Sequence, residues 1–154
     1  MTLRGYYTAR RFPERAIIHL IIESSSKSEE TSWEVISTCN SLREILEAPC
    51  LREGNGTVKP EAAVSSISAS HIYLASKDRN ANNSTGDLSD RPRIHNATIT
   101  FYTIFCDFNE MPKFIQKLDR YHNARLNNAF WYLTDATNRE VGAHARKGAC
   151  STLL

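Results

Sequence analysis

Cys106 is the side chain best placed for chemistry in this sequence. It ends a run of β-branched and aromatic residues, Ala97 to Cys106, and precedes a helical pattern that opens at Asn109. A thiol before a helix N-terminus feels the positive end of the helix dipole, which favours the thiolate. His95 and His122 are candidate bases. A nucleophile and base must lie within hydrogen-bond reach, and nothing in the sequence joins these three. Cys106 is therefore read as a strand cysteine packed against the following helix, and no catalytic residue is assigned.

Other chemistries lack their patterns. There is no glycine-rich phosphate loop, no G-x-S-x-G elbow and no H-E-x-x-H pair. Two positions after the five histidines stand Ile21, Tyr73, Ala97, Ala124 and Arg146, so the paired His-x-Thr/Ser motif of two-histidine phosphoesterases is absent. Cys39, Cys50, Cys106 and Cys150 are too far apart in sequence for a zinc knuckle or a C-x-x-C redox pair. No metal and no cofactor is expected. Four free thiols are expected, as in a reducing compartment.

The binding candidates are cations. Arg10 and Arg11 lie in a basic N-terminal stretch interleaved with Tyr6, Tyr7 and Phe12. Arg91 and Arg93 precede the aromatic run, and Lys113, Lys117 and Arg120 share one side of the following helix. Arginines among aromatics suit nucleic-acid backbones and bases. They equally suit an edge strand whose arginines face water. Charge is blocked along the chain: residues 1–15 carry four arginines against Glu14, whereas residues 23–53 carry seven acids against three bases. The formal net charge is only +2, low for a dedicated nucleic-acid binder.

The strand, helix and strand over 97–134 must position most of these groups. In 97–106 the odd positions are nearly all apolar, and the even ones are rich in Thr and Tyr, which gives a strand one dry face. Asn109 is a candidate N-cap, with Glu110 and Pro112 suited to the first turn. Met111, Phe114, Ile115, Leu118, Tyr121 and His122 trace one stripe of a helix over 109–125. Asn127-Asn128 reads as its stop, and Phe130 to Leu133 as the returning strand. Two strands joined by one helix most often run parallel, though an antiparallel arrangement around an intervening strand is an alternative.

Elsewhere the pattern predicts an apolar strand over 16–23, with His19 as hydrogen-bonded structure. A second strand over 33–37, a short helix over 41–48 ended by Pro49, a helical turn near 60–66 and a strand over 68–76 follow. Residues 77–93 form a long polar loop, functional or mobile by its length. Residues 141–145 suggest a short edge strand, and 146–154 a frayed tail.

These elements predict one α+β domain over residues 1–154: a mainly antiparallel sheet of about five strands with helix 109–125 on one face, a ferredoxin-like arrangement being one candidate. The N-terminus carries no secretion signal and no segment reaches the roughly 18–20 apolar residues of a membrane span, so a cytoplasmic protein with no membrane partner is expected. The composition fits a non-enzymatic protein-interaction module with a protein partner. By size and by lack of motif it resembles the small inhibitors and accessory proteins of mobile elements, anti-CRISPR proteins among them, and that resemblance implies an inhibitor or adaptor. Alternatives are a nucleic-acid-binding protein using the cations above and a small enzyme with an unrecognised site. Homo-oligomers fit any of the three.

Overall fold

A computed structural model describes residues 8–27, 30–78 and 93–151. The elements in order are β1 (Arg15–Ser26), α1 (Thr31–Glu47), β2 (Val64–Ala69), β3 (Tyr73–Asp78), β4 (Arg93–Phe105), α2 (Glu110–Leu118), β5 (Ala124–Tyr132) and α3 (Asp135–Ser151). Alternation decides how the two longest strands lie. On β1, Ala16, Ile18, Leu20 and Ile22 are fully buried, and on β4 so are Ala97, Phe101, Thr103 and Phe105. These rows share one face of the sheet, and α1 and α2 pack on it.

The sheet order is β2-β4-β1-β5, with β3 also paired to β4. Every pairing is antiparallel. It follows that β1 and β2 run parallel with β4 between them, and that β4 and β5 run parallel with β1 between them. Each of α1 and α2 therefore spans a split β-α-β unit. This is the ferredoxin-like arrangement, with its edge strand in two pieces and α3 added. The parallel crossover expected for 97–134 is present.

Several local expectations are corrected. The strand expected over 33–37 and the short helix over 41–48 are one helix, α1. Val35, Thr38, Cys39, Leu42 and Leu46 are buried at helical spacing beneath the sheet. Burying each such aliphatic is worth about 1.5–3 kcal/mol, which outweighs the strand preference of Val35 and Ile36. The helical turn near 60–66 is instead a tight turn, with the Ala62 N–H donating to the Lys59 carbonyl (3.0 Å). It leads into β2, where Val64 faces Phe105.

The strand expected over 68–76 is broken at Ser70–Ile72. The Ser70 N–H donates to the Thr100 carbonyl (2.7 Å), and the Ser70 hydroxyl accepts the Thr100 N–H (3.0 Å). The two halves, β2 and β3, line up along the same side of β4. Of the long polar loop, residues 77–78 and 93 belong to strands, and the remainder lies outside the described residues.

Helix 109–125 ends at Leu118, because the chain must turn at Asp119–Asn123 to bring Ala124 opposite Ile22. Tyr121 and His122 thus leave the helix. Asn109 stands at the N-cap position without a side-chain cap bond; its N–H and its Nδ2 both donate to Asp107 Oδ1. Asn127-Asn128 is not a stop but a bulge inside β5, where the register against β1 shifts between His19 and Leu20. The edge strand over 141–145 and the frayed tail from 146 are replaced by α3, which runs to Ser151, with 152–154 outside the described residues. Glu14 anchors it: its carboxylate accepts the Thr134 N–H (2.8 Å), the Thr134 hydroxyl (2.7 Å) and the Thr137 hydroxyl (2.7 Å).

Candidate interaction surface

The face of the sheet away from α1 and α2 carries the alternate residues. Ile17, His19 and Ile21 come from β1, Thr98, Thr100, Tyr102 and Ile104 from β4, and Phe130 and Tyr132 from β5. Ser66 and Ser68 of β2 and Tyr73 of β3 extend it. Large rings are open here: Tyr73 is 69% exposed, Phe130 52% and Tyr102 39%. Ile17, Ile21 and Ile104 are half-buried among them.

At its centre His19 faces Tyr102, and their rings stack at 4.6 Å with an interplanar angle of 14°. Asn127, thrust forward by the β5 bulge, places Nδ2 3.1 Å from His19 Nδ1. The pair accounts for one ring nitrogen; Nε2 is buried with no partner among the described residues. An ion pair between Arg125 Nε and Glu23 Oε1 (3.2 Å) borders the surface at one end. The face is thus an aliphatic and aromatic field around a polar stack, with the Arg125–Glu23 pair at one end and Arg15, level with Tyr132, at the other.

The cations singled out from sequence do not gather on this face. Arg10 and Arg11 precede β1, and Arg11 pairs loosely with Glu140 of α3 at 3.9 Å. Arg93 starts β4, at the far end of the sheet, because β4 runs antiparallel to β1. Lys113, Lys117 and Arg120 belong to α2 and the turn after it, in the helical layer, and Lys113 pairs with Glu110 at 2.5 Å. Arg91 lies outside the described residues. Among the described residues these groups occupy three separate regions and form no single basic surface. None of the described binding residues named from sequence belongs to the open face. Its signal was the even positions of 97–106 together with the both-sided apolar run 16–23.

Cys106 is half-buried just beyond β4. His95 lies eleven residues back along the same strand, roughly 35 Å away at the rise of an extended chain. His122 Nε2 instead meets Glu34 Oε1 (3.2 Å), and the Ser24 hydroxyl donates to the other oxygen of Glu34. Ser24, Glu34 and His122 are thus chained with the carboxylate in the middle. A nucleophilic serine needs the imidazole next to its hydroxyl, so this order ties α1 to β1 and β5 without activating Ser24. Cys39 and Cys50 are buried, and burial raises the Cys39 thiol pKa. Among the described residues no three His, Cys, Asp or Glu side chains cluster closely enough to hold a metal.

What the geometry defines is a small α+β domain with helices on one face of its sheet and an open, ring-bearing surface on the other. None of the described helices is long and apolar enough to cross a membrane. Comparison with family models, with curated proteins and with solved structures finds no match.

Proposed function

We propose that this chain is a protein-interaction module of the inhibitor or adaptor kind, whose binding surface for a protein partner is the open face of the sheet. The observation that carries it is the field formed by Ile17, Ile21, Tyr102, Ile104 and Phe130, left uncovered by α1 and α2. Exposed apolar and aromatic area with a polar centre is the composition of a protein interface core. The centre of the field, from Ile17 and Ile21 to Tyr102 and Ile104, holds no Arg or Lys, which favours a protein over a polyanion.

The stacked His19–Tyr102 pair favours a second reading. Rings displayed on an open sheet of this topology are how some single-stranded RNA binders hold bases. Such binders also need a cationic path for the phosphates, and the cations here are dispersed.

The two readings separate in one experiment. Partner proteins are captured from cells of the source with the wild type, with Ile104→Glu and with the helical-layer variant Lys113→Glu. In parallel, single-stranded RNA is titrated at low and physiological salt. A partner retained by Lys113→Glu and lost by Ile104→Glu supports the proposal. RNA binding that falls steeply with salt and disappears in Tyr102→Ala would replace it with the second reading.

A further inference from the structure

Both edges of the sheet are open to comparison, and they are built differently. The β2/β3 edge is divided into two six-residue strands by Ser70–Ile72. Short, interrupted strands are a common protection against edge pairing. The β5 edge is a nine-residue strand without Pro or Lys, and its one charge, Arg125, is closed by Glu23. Leu126, Phe130 and Trp131 are each about half exposed on it. Among the described residues nothing pairs with its outer side.

The direction of its backbone groups follows from one bond. The Tyr132 carbonyl accepts the Glu14 N–H (3.0 Å) and so points inward, toward β1. Alternate residues of a strand direct their N–H and C=O to the same side. Asn128 and Phe130 therefore point inward, while Ala129 and Trp131 point outward. The Ala129 N–H meets no strand; it donates to the Asn128 side chain at 2.8 Å.

We propose that two copies of this chain pair edge to edge through β5, antiparallel across a two-fold axis at Phe130. In that register Phe130 faces Phe130 of the second copy on the open side. Ala129 faces Trp131 on the helical side, and Trp131 faces Ala129 in return, so a small residue meets a large one at both places. The outward N–H and C=O groups of these residues form the ladder, and the Ala129 N–H exchanges its bond to Asn128 for one to the second copy. The ladder spans Asn128 to Tyr132, between the bulge at Asn127 and the end of β5. Size is thus self-complementary about one axis, as an isologous interface requires. The two sheets become one, with both open faces on the same side.

This inference uses the edge of the sheet and does not depend on the centre of the open face binding a partner. It is tested by sedimentation velocity of the full chain from low to high micromolar concentration. The expected result is a monomer–dimer equilibrium that Phe130→Lys weakens about tenfold or more, since like charges would then face each other directly. A second variant keeps the test independent of how Phe130→Lys folds. In a Cys150→Ser background, Phe130→Cys should crosslink two copies under mild oxidation, because non-hydrogen-bonded antiparallel partners approach within disulfide range. Tyr102→Cys, on an interior strand, should not. A wild type that stays monomeric throughout overturns the proposal. So does a dimer that is indifferent to Phe130→Lys, or a Phe130→Cys chain that crosslinks no better than Tyr102→Cys.

Discussion

Replacing Thr38 by Val should destabilise this protein although it makes a buried position more apolar. Thr38 is 8% exposed on the sheet side of α1, and its hydroxyl donates to Asn123 Oδ1 at 3.0 Å. Asn123 is equally buried, just before β5, and its Nδ2 has no partner among the described residues. The Thr38 bond therefore satisfies a buried side-chain oxygen that joins α1 to the start of β5. Val keeps the shape and β-branching but leaves that oxygen unsatisfied. An orphaned buried acceptor costs about 1–3 kcal/mol. The methyl that replaces the hydroxyl returns somewhat less than about 1 kcal/mol. The net loss is on the order of 1–2 kcal/mol, or roughly 2–8 °C in Tm for a domain of this size.

The assay is urea and thermal unfolding of four chains: wild type, Thr38→Val, Asn123→Leu and the double variant. Once Asn123 is Leu, no acceptor remains to be orphaned, so Thr38→Val should then be neutral or stabilising. The cycle should give a coupling of about 1–2 kcal/mol between the two sites. If Thr38→Val costs the same in both backgrounds, or stabilises the wild type, the reasoning from the buried acceptor is refuted.

Three further outcomes follow from named contacts. The three bonds from Thr134 and Thr137 lower the Glu14 pKa from 4.5 to about 2. A carboxylate depressed on folding stabilises the fold above its unfolded pKa, so the anchoring of α3 should hold above pH 4.5 and be lost as pH falls toward 2. Glu14→Gln should loosen α3 already at neutral pH and flatten that acid dependence, read by circular dichroism and by amide exchange within α3. In native protein a thiol reagent should label exposed Cys150 first and half-buried Cys106 more slowly, whereas buried Cys39 and Cys50 should react only on unfolding; fast labelling of Cys39 would contradict its place under the sheet. Leu42→Ala, which empties a fully buried position of α1, should cost about 2–5 kcal/mol in urea unfolding, and a loss below about 1 kcal/mol would mean that α1 is not docked as described.

The parts of the fold legible in sequence were those where one pattern dominated. Strand β1 is a continuous apolar run, β4 alternates over many residues, and Phe114 and Leu118 belong to a clear helical stripe of α2. The α1 region was misread because Trp33-Glu34-Val35-Ile36 combines strand propensity with an alternating start. The helical stripe only emerges when Val35, Thr38, Cys39, Leu42 and Leu46 are taken together. The end of α2 was overrun because Tyr121 and His122 continue the stripe, and only the pairing of Ala124 with Ile22 cuts it short. In α3, Gly142 and Gly148 disguised a helix whose start is fixed from outside the segment, by Glu14.

The surface was less legible than the fold. Cations attract notice in a sequence because each is recognisable alone, yet Arg10, Arg93 and Lys113 end in different regions. The open face is a property of topology: Ile17, Tyr102, Ile104 and Phe130 become one surface only when β4, β1 and β5 lie side by side.

The most direct test of the account is the dissociation constant of the captured partner for wild type, Ile104→Glu and Lys113→Glu. Both variants place a new carboxylate on the domain, one on the open face and one in the helical layer. The open face as binding surface predicts that Ile104→Glu weakens binding by tenfold or more, at least about 1.4 kcal/mol, while Lys113→Glu stays near wild type. Equal weakening by both, or loss confined to Lys113→Glu, would contradict it.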